Sequence, residues 1–447
     1  MQSITQRLVA LTASVTYDRL PEGTVAAAKR AILDALGCAI AAIGCEPARI
    51  AARVQPKGSA ESTVIGERGR GSLERAVLLN GILVRYLDMM DVYWDKDVCH
   101  PAENVPLAIA AVESMRGSGQ DLIEAVVAAY ESQLRLAHAM SLQDLGMHHV
   151  TAAGIVGPLV LGKAWGLEPA AIEHAVALGG SRQFTLHALS KGDLSMAKAI
   201  AYPWSAMSSI LATRLAREGF TGPVHFLDWL DERGGGSIDR DALEPDGPYL
   251  IERVSFKQFP VQFELQTPVE IAVRMHERVK RASNPIAAVA IQVPPAAMGR
   301  VADPAKFKPA NRETADHSLP ACVAMALLDG ELTTGQFEND RWAAHDVAAL
   351  IARTTVTPNA DYPRLHPEGR PADIRVTLED GTTVADFQDV PTGDATRPFD
   401  DLTLERKFMS NAAEKLDRSR AREILELVKR LERVERVDEL TSMLAAH

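Results

Sequence analysis

Cysteine is scarce in this chain: four in 447 residues, at positions 38, 45, 99 and 322, with no CxxC spacing. That set excludes a disulfide framework and a thiolate zinc site, and it fits four free thiols in a reducing cytoplasm. Positive charge is also short, with 48 Lys and Arg against 59 Asp and Glu. A net charge of −11 without a dense basic stripe argues against nucleic acid as a partner. A few placed cations can still hold small anions inside an acidic protein. Long apolar runs are missing too. The opening "MQSITQRLVALTASVTYDRLPEG" is broken by Arg7, Ser14, Tyr17 and Asp18, so it reads as neither a signal peptide nor a membrane span.

What is present is an even mixture, 47% hydrophobic and 24% charged, in a chain too long for one ordinary core. Up to about residue 265 the pattern is helix after helix. "TVAAAKRAILDALGCAIAAIG" sets Val25, Ala28, Ile32, Leu36 and Ile40 on one stripe, and "SLERAVLLNGILVRYLD" and "DLIEAVVAAYESQLRLAHAM" behave alike. Ser72 and Asp121 stand where N-caps are expected. Beyond about 283 the character changes. "NPIAAVAIQVPP" and "TTVTP" read as strands, and "DIRVTLEDGTTVADF" reads as a hairpin turning at Asp380–Gly381. From about 401 the helical pattern returns, and this last segment is expected to dock on the first.

One stretch concentrates unusual chemistry. "YLDMMDVYWDKDVCHPAENV", residues 86–105, holds Asp88, Asp91, Asp95 and Asp97 beside Cys99 and His100. Carboxylates and an imidazole can ligate a metal, but no HExxH or DxDxDG pattern accompanies them, so no metal is assigned. Asp95, Lys96 and Asp97 are expected to face water. Leu87, Met89, Met90, Tyr93 and Trp94 call for burial, which forces Asp88, Asp91 and His100 to find partners. His100 precedes Pro101 and a helix expected to be capped by Asn104, a setting in which an imidazole can exchange a proton near neutral pH.

The same stretch resembles the Leu-Asp-Phe-x-Asp-Thr and His-Pro motifs of the MmgE/PrpD family, which includes 2-methylcitrate dehydratases, cis-aconitate decarboxylases and an iminodisuccinate epimerase. "SVTYDRLPEGTVAAAKRAILDALGCAIA", "SGQDLIEAVVAAYE", "LSMAKAIAYPWSAMSSILATRLAREGFTGP", "FKQFPVQFELQTPVEIA" and "NRETADHSLPACVAMALLDG" resemble further family blocks in the same order. The resemblance implies a mainly α fold with a smaller α/β domain. A helical domain would form from residues 1–270 and 400–447, with an α/β lid at 271–399, usually in a homodimer. It matches the family's active-site residues to Asp88, His100, His149, Lys198 and Lys257.

These residues suit one chemistry. Removing a proton alpha to a carboxylate builds enolate-like charge, which nearby cations stabilise. The expected roles are proton transfer by His100 and His149, carboxylate binding by Lys198 and Lys257, and orientation of His100 by Asp88. Asp91 and Tyr93 are further candidates for substrate contact. His148 and His149 are adjacent and expected to point apart, one of them structural. The scheme requires no cofactor. It describes a metal-independent lyase dehydrating a 2-methylcitrate-type hydroxy acid, with cis-aconitate decarboxylation or iminodisuccinate epimerisation as the first alternative and an inactive polycarboxylate-binding relative as the second. Four positions depart from the family pattern: Val92 for threonine, Ala321 for tyrosine, His148 for aspartate, and Glu264 where histidine can stand. Each lost polar contact could shift selectivity by ~1–3 kcal/mol.

Overall fold

A computed structural model describes residues 2–244, 247–366 and 368–446. The chain is mainly α-helical with a smaller α/β part. Its first half contains the helices α1 (Ile4–Ser14), α2 (Glu22–Ala41), α3 (Leu73–Tyr86), α4 (Val105–Ser114), α5 (Gly119–Ala139), α6 (Ala153–Ala164), α7 (Pro169–Gly180) and α8 (Ala197–Arg217). Ser72 caps α3 by accepting from the Arg75 N–H. Asp121 is not a cap. Ser118 caps α5, and Asp121 is the reciprocal acid three residues on, because Gly119 already opens the helix.

Two cores follow from this arrangement. The larger runs from Val15 to Phe256 and takes in Phe399, Leu404, Phe408, Ile424 and Leu440 from the far end of the chain. The second begins at Phe259 and continues to Val384. Within it, α9 (Gln266–Arg281) straddles residue 270, yet its buried Val269, Ile271, Ala272, Met275 and Val279 all face the second core. That core is closed by β1 (Ile286–Val293), the short turn α10 (Met298–Val301), α11 (Leu319–Asp329), β2 (Thr354–Pro358), β3 (Ala372–Leu378) and β4 (Thr383–Gln388). The sheet order is β2-β1-β3-β4, with β1 and β2 parallel and the other pairs antiparallel. Gly381, at φ 85°, supplies the left-handed turn of the β3–β4 hairpin.

The chain then returns. α12 (Asp401–Ala412) and α13 (Arg418–Lys429) lie against the first core, with Phe408 packed over Gly37 of α2. Lys407 of α12 binds Asp34 and donates to the Met89 carbonyl at 2.8 Å, so the far end of the chain braces the loop that follows Asp88. α3 and α8 also meet closely. A Cβ on Gly81 would come within 2.7 Å of the Pro203 ring, so glycine is what allows these two helices their separation. All four cysteines are free. Among the described residues no single helix is long and apolar enough to cross a membrane.

Candidate active site

α3 ends at Tyr86, and the chain turns abruptly at Asp88, whose φ of 52° is a left-handed conformation that aspartate tolerates better than most side chains. The turn leaves its carboxylate surrounded by cations. Oδ2 lies 2.7 Å from Lys198 Nζ, Oδ1 lies 3.3 Å from Arg85 and also binds Lys257, and the Asp88 carbonyl accepts from Lys257 at 2.9 Å. Burial pushes the Asp88 carboxyl up, but Lys198, Lys257, Arg85 and His317 outweigh it and hold it well below the usual range. Asp88 is therefore a buried anion. Its hydrogen bonds go to these cations rather than to His100, so it does not orient that ring directly.

His100 is oriented by a backbone group. A two-residue ribbon pairs Tyr93–Trp94 with Val98–Cys99 and returns the chain so that His100 Nδ1 lies 2.9 Å from the Asp91 carbonyl. A carbonyl only accepts, so Nδ1 carries the proton and Nε2 keeps its lone pair. Burial, with Lys257 and Arg85, holds His100 well below its ordinary pKa. It is a neutral base at physiological pH.

The other imidazoles extend from it in a row. The His100 and His149 rings are 5.3 Å apart edge to face, His149 and His148 are 4.2 Å apart, and His148 and His187 are 6.1 Å apart. Both neighbouring histidines border the cavity, contrary to the expectation that one would be structural, because a 3-10 turn over His149–Ala152 keeps their rings together. Burial lowers His148 to about 3 and His149 well below its usual value. Behind His149, Glu103 Oε2 lies 3.8 Å from Nε2, and Glu103 Oε1 lies 3.2 Å from Arg85 Nε. Burial pushes the Glu103 carboxyl up to about 8, against the pull of Arg85, so it holds a proton at neutral pH.

The second core supplies the opposite wall. Asp316 lies 3.0 Å from Lys198 and 3.3 Å from Arg312, and it accepts from His317 Nδ1 at 2.5 Å. Asp88, Asp316 and His317 could together ligate a cation. The ammonium of Lys198 stands between the two carboxylates, already supplying the positive charge that such a site would hold.

Asp88, His100, His149 and Lys198 thus border one cavity. Three other expected contacts do not. Lys257 is completely buried beneath Asp88, where burial lowers its pKa, and it serves as that anion's counter-charge. Asp91 accepts from the Ala102 N–H at 2.9 Å and the Tyr130 hydroxyl at 2.7 Å; burial raises it to about 7, and its place is under the His100 loop. Tyr93 donates to Asp95 at 3.0 Å and faces a neighbouring groove. Asp97 was expected in solvent but is buried, accepting from Leu142 N–H at 2.8 Å and from Gln143. Asn104 makes no side-chain cap; it binds Gln133 and the Tyr202 hydroxyl instead.

Sequence reasoning missed Arg85, Glu103, His187, Arg300 and His317, all bordering or backing the cavity. Arg85 and Glu103 had a signal, since they sit three residues from Asp88 and from His100. The departures also redistribute. Val92 bridges the backbone of Ser255, Ala321 is buried in the second core, and Glu264 is paired with Arg300.

Residues 6–236 match the model of the MmgE/PrpD N-terminal domain and residues 259–433 that of the C-terminal domain. The chain belongs to the MmgE/PrpD family. It is 26% identical to human cis-aconitate decarboxylase over 99% of this chain and 95% of that protein. It is 27% identical to the 2-methylcitrate dehydratase of Escherichia coli K12, over 89% of this chain and 87% of that one. Identity to the 2-methylcitrate dehydratase of Cupriavidus necator is 25%, over 89% and 88%. In this MmgE/PrpD chain the two matched domains meet at the site, for Asp88, His100, His149 and Lys198 fall in the first and His317 and Arg300 in the second.

Proposed function

We propose that this chain is a lyase that abstracts a proton alpha to a carboxylate and dehydrates a hydroxy-polycarboxylate of the 2-methylcitrate type. The observation that carries the reading is His100, with Nδ1 committed to a carbonyl and Nε2 free beside a cationic floor. His100 Nε2 takes the proton from carbon, and the electron pair left behind spreads into the carboxylate as enolate-like charge. Lys198 and Arg85, both buried at the cavity, stabilise that charge. As the carbon–oxygen bond breaks, the departing hydroxyl takes the proton of the neutral His149 ring and leaves as water. Glu103, protonated at neutral pH and 3.8 Å from His149 Nε2, passes its own proton to that nitrogen and is left as a carboxylate beside Arg85.

A second reading keeps the same carbanion-like intermediate and forms it by loss of carbon dioxide; the 26% identity to a protein named cis-aconitate decarboxylase favours it. Epimerisation would use the base on one face and return the proton on the other. Proton NMR in deuterated buffer separates the three, with 2-methylcitrate, citrate, cis-aconitate and iminodisuccinate as substrates. Loss of water from a hydroxy acid, abolished in His100→Gln, is the expected result. Decarboxylation, or deuterium uptake without net conversion, would replace it with the alternatives. A chain that turns over none of them and exchanges no deuterium would not be a lyase for these acids.

A further inference from the structure

Arg300 is unlike the other cations of the cavity. Lys198 and Arg85 border the cavity as largely buried groups paired with Asp88, whereas the Arg300 side chain keeps 29% of its surface exposed. It projects from the α10 turn of the second core and borders both the cavity and the neighbouring groove that contains Arg370 and His366. Its guanidinium lies 5.2 Å over the Trp94 ring, which fixes its plane. His187 ends the row of imidazoles begun by His100; burial and Lys191 lower its pKa and Arg300 adds to that, which puts Arg300 within reach of this end of the row. Arg300 therefore stands at the end of the cavity away from the proposed base.

Its donors are occupied by a resident carboxylate. Arg300 Nε lies 2.8 Å from Glu264 Oε2 and Nη2 lies 2.5 Å from Oε1, the two-pronged geometry in which guanidinium also holds a ligand's carboxylate. Glu264 has a second support, since Gln262 Nε2 lies 3.2 Å from Oε2 and the Glu264 N–H donates to Gln262. It keeps a hydrogen-bond donor if Arg300 swings away.

Resting on the polycarboxylate reading above, we propose that Arg300 is the specificity-determining residue for a third carboxylate. It would take the carboxylate farthest from the carbon that loses its proton, with Glu264 as the internal competitor that this group displaces. An acid with two carboxylates leaves the Arg300–Glu264 pair untouched. An acid with three exchanges one carboxylate for another on the same guanidinium, so Glu264 sets how strongly the third group is favoured. A mere brace between α10 and the segment before α9 would behave differently. Removing either partner would then weaken the same contact, and both variants would shift binding in the same direction.

Calorimetric binding of tricarballylate and glutarate distinguishes the two, since neither acid carries a hydroxyl to eliminate. Glu264→Gln should tighten tricarballylate by about tenfold and Arg300→Gln should weaken it by about tenfold, with glutarate unchanged in both. Thermal melts of the variants run alongside, so that a folding defect is seen directly. Shifts of the same sign in the two variants, or parallel shifts for glutarate, would overturn the proposal while leaving the polycarboxylate reading in place. Normal melting with no binding of either acid by the parent chain would remove both.

Discussion

Lys257 reaches Asp88 twice across 169 residues of chain, donating to its carbonyl at 2.9 Å and to its carboxylate. Neither residue has water to fall back on, since both are buried. The pair also fixes the left-handed turn at Asp88, because it grips backbone and side chain of the same residue.

Asp88→Asn should therefore be strongly destabilising. It leaves Lys257, Lys198 and Arg85 without their shared anion, and stranding a buried charge costs about 3–5 kcal/mol. Urea denaturation measures the loss. The double variant Asp88→Asn, Lys257→Met should lose less than the two single changes added together, because the stranded ammonium is gone.

Gly81→Ala tests how α3 and α8 place Arg85 and Lys198. A methyl group there would meet the Pro203 ring at 2.7 Å, closer than real Cβ contacts come, so the two helices must move apart. Overpacking of this kind costs about 1–3 kcal/mol. Turnover of whichever acid proves to be the substrate should fall with stability, although residue 81 does not border the cavity.

Tyr130→Phe addresses the loop beneath His100. The hydroxyl donates to Asp91 at 2.7 Å, and losing one partner of a buried pair costs about 1–3 kcal/mol. The midpoint of chemical denaturation should drop accordingly. An unchanged midpoint would mean that the hydroxyl carries no stability.

Stability should depend on pH through Glu103. The folded chain holds its carboxyl near 8 by burial, whereas an ordinary glutamate releases its proton near 4.5. The fold therefore binds a proton that the unfolded chain gives up, and that stabilisation is lost as pH rises from about 4.5 towards 8. Glu103→Gln removes this titration, so the variant should gain on the parent chain across that window and level off above it. Urea midpoints at about pH 5, 6.5 and 8.5 read the difference. On the acid side the sign reverses. His100 and His149 are held neutral by burial, so the fold loses stability as pH falls below their ordinary 6.5.

Much of this molecule was legible in its sequence, and the gaps have physical causes. Helical stripes, the Asp380–Gly381 hairpin and the return of helix after 401 are local patterns, and they announce themselves. Asp88 and His100 stood out as polar groups in an apolar stretch that forces them to pair, and His149 and Lys198 were marked by the family resemblance. Lys257, Asp91 and Asp97 carry the same polar types, but their partners lie far off in sequence. Nothing local says whether such a group faces a ligand or a neighbouring side chain. His317 and Arg300 were invisible for a related reason: each becomes part of the cavity only when the second core is laid against the first.

The clasp of Lys198 between Asp88 and Asp316 bears on how this family's chemistry can diversify. Altering any one of the three unbalances charge at the junction of both cores, so a change there is felt by the fold as well as by the chemistry. His187, half-buried at the end of the imidazole row, carries no such burden. A change of substrate made at the rim therefore costs the fold less than one made at the floor.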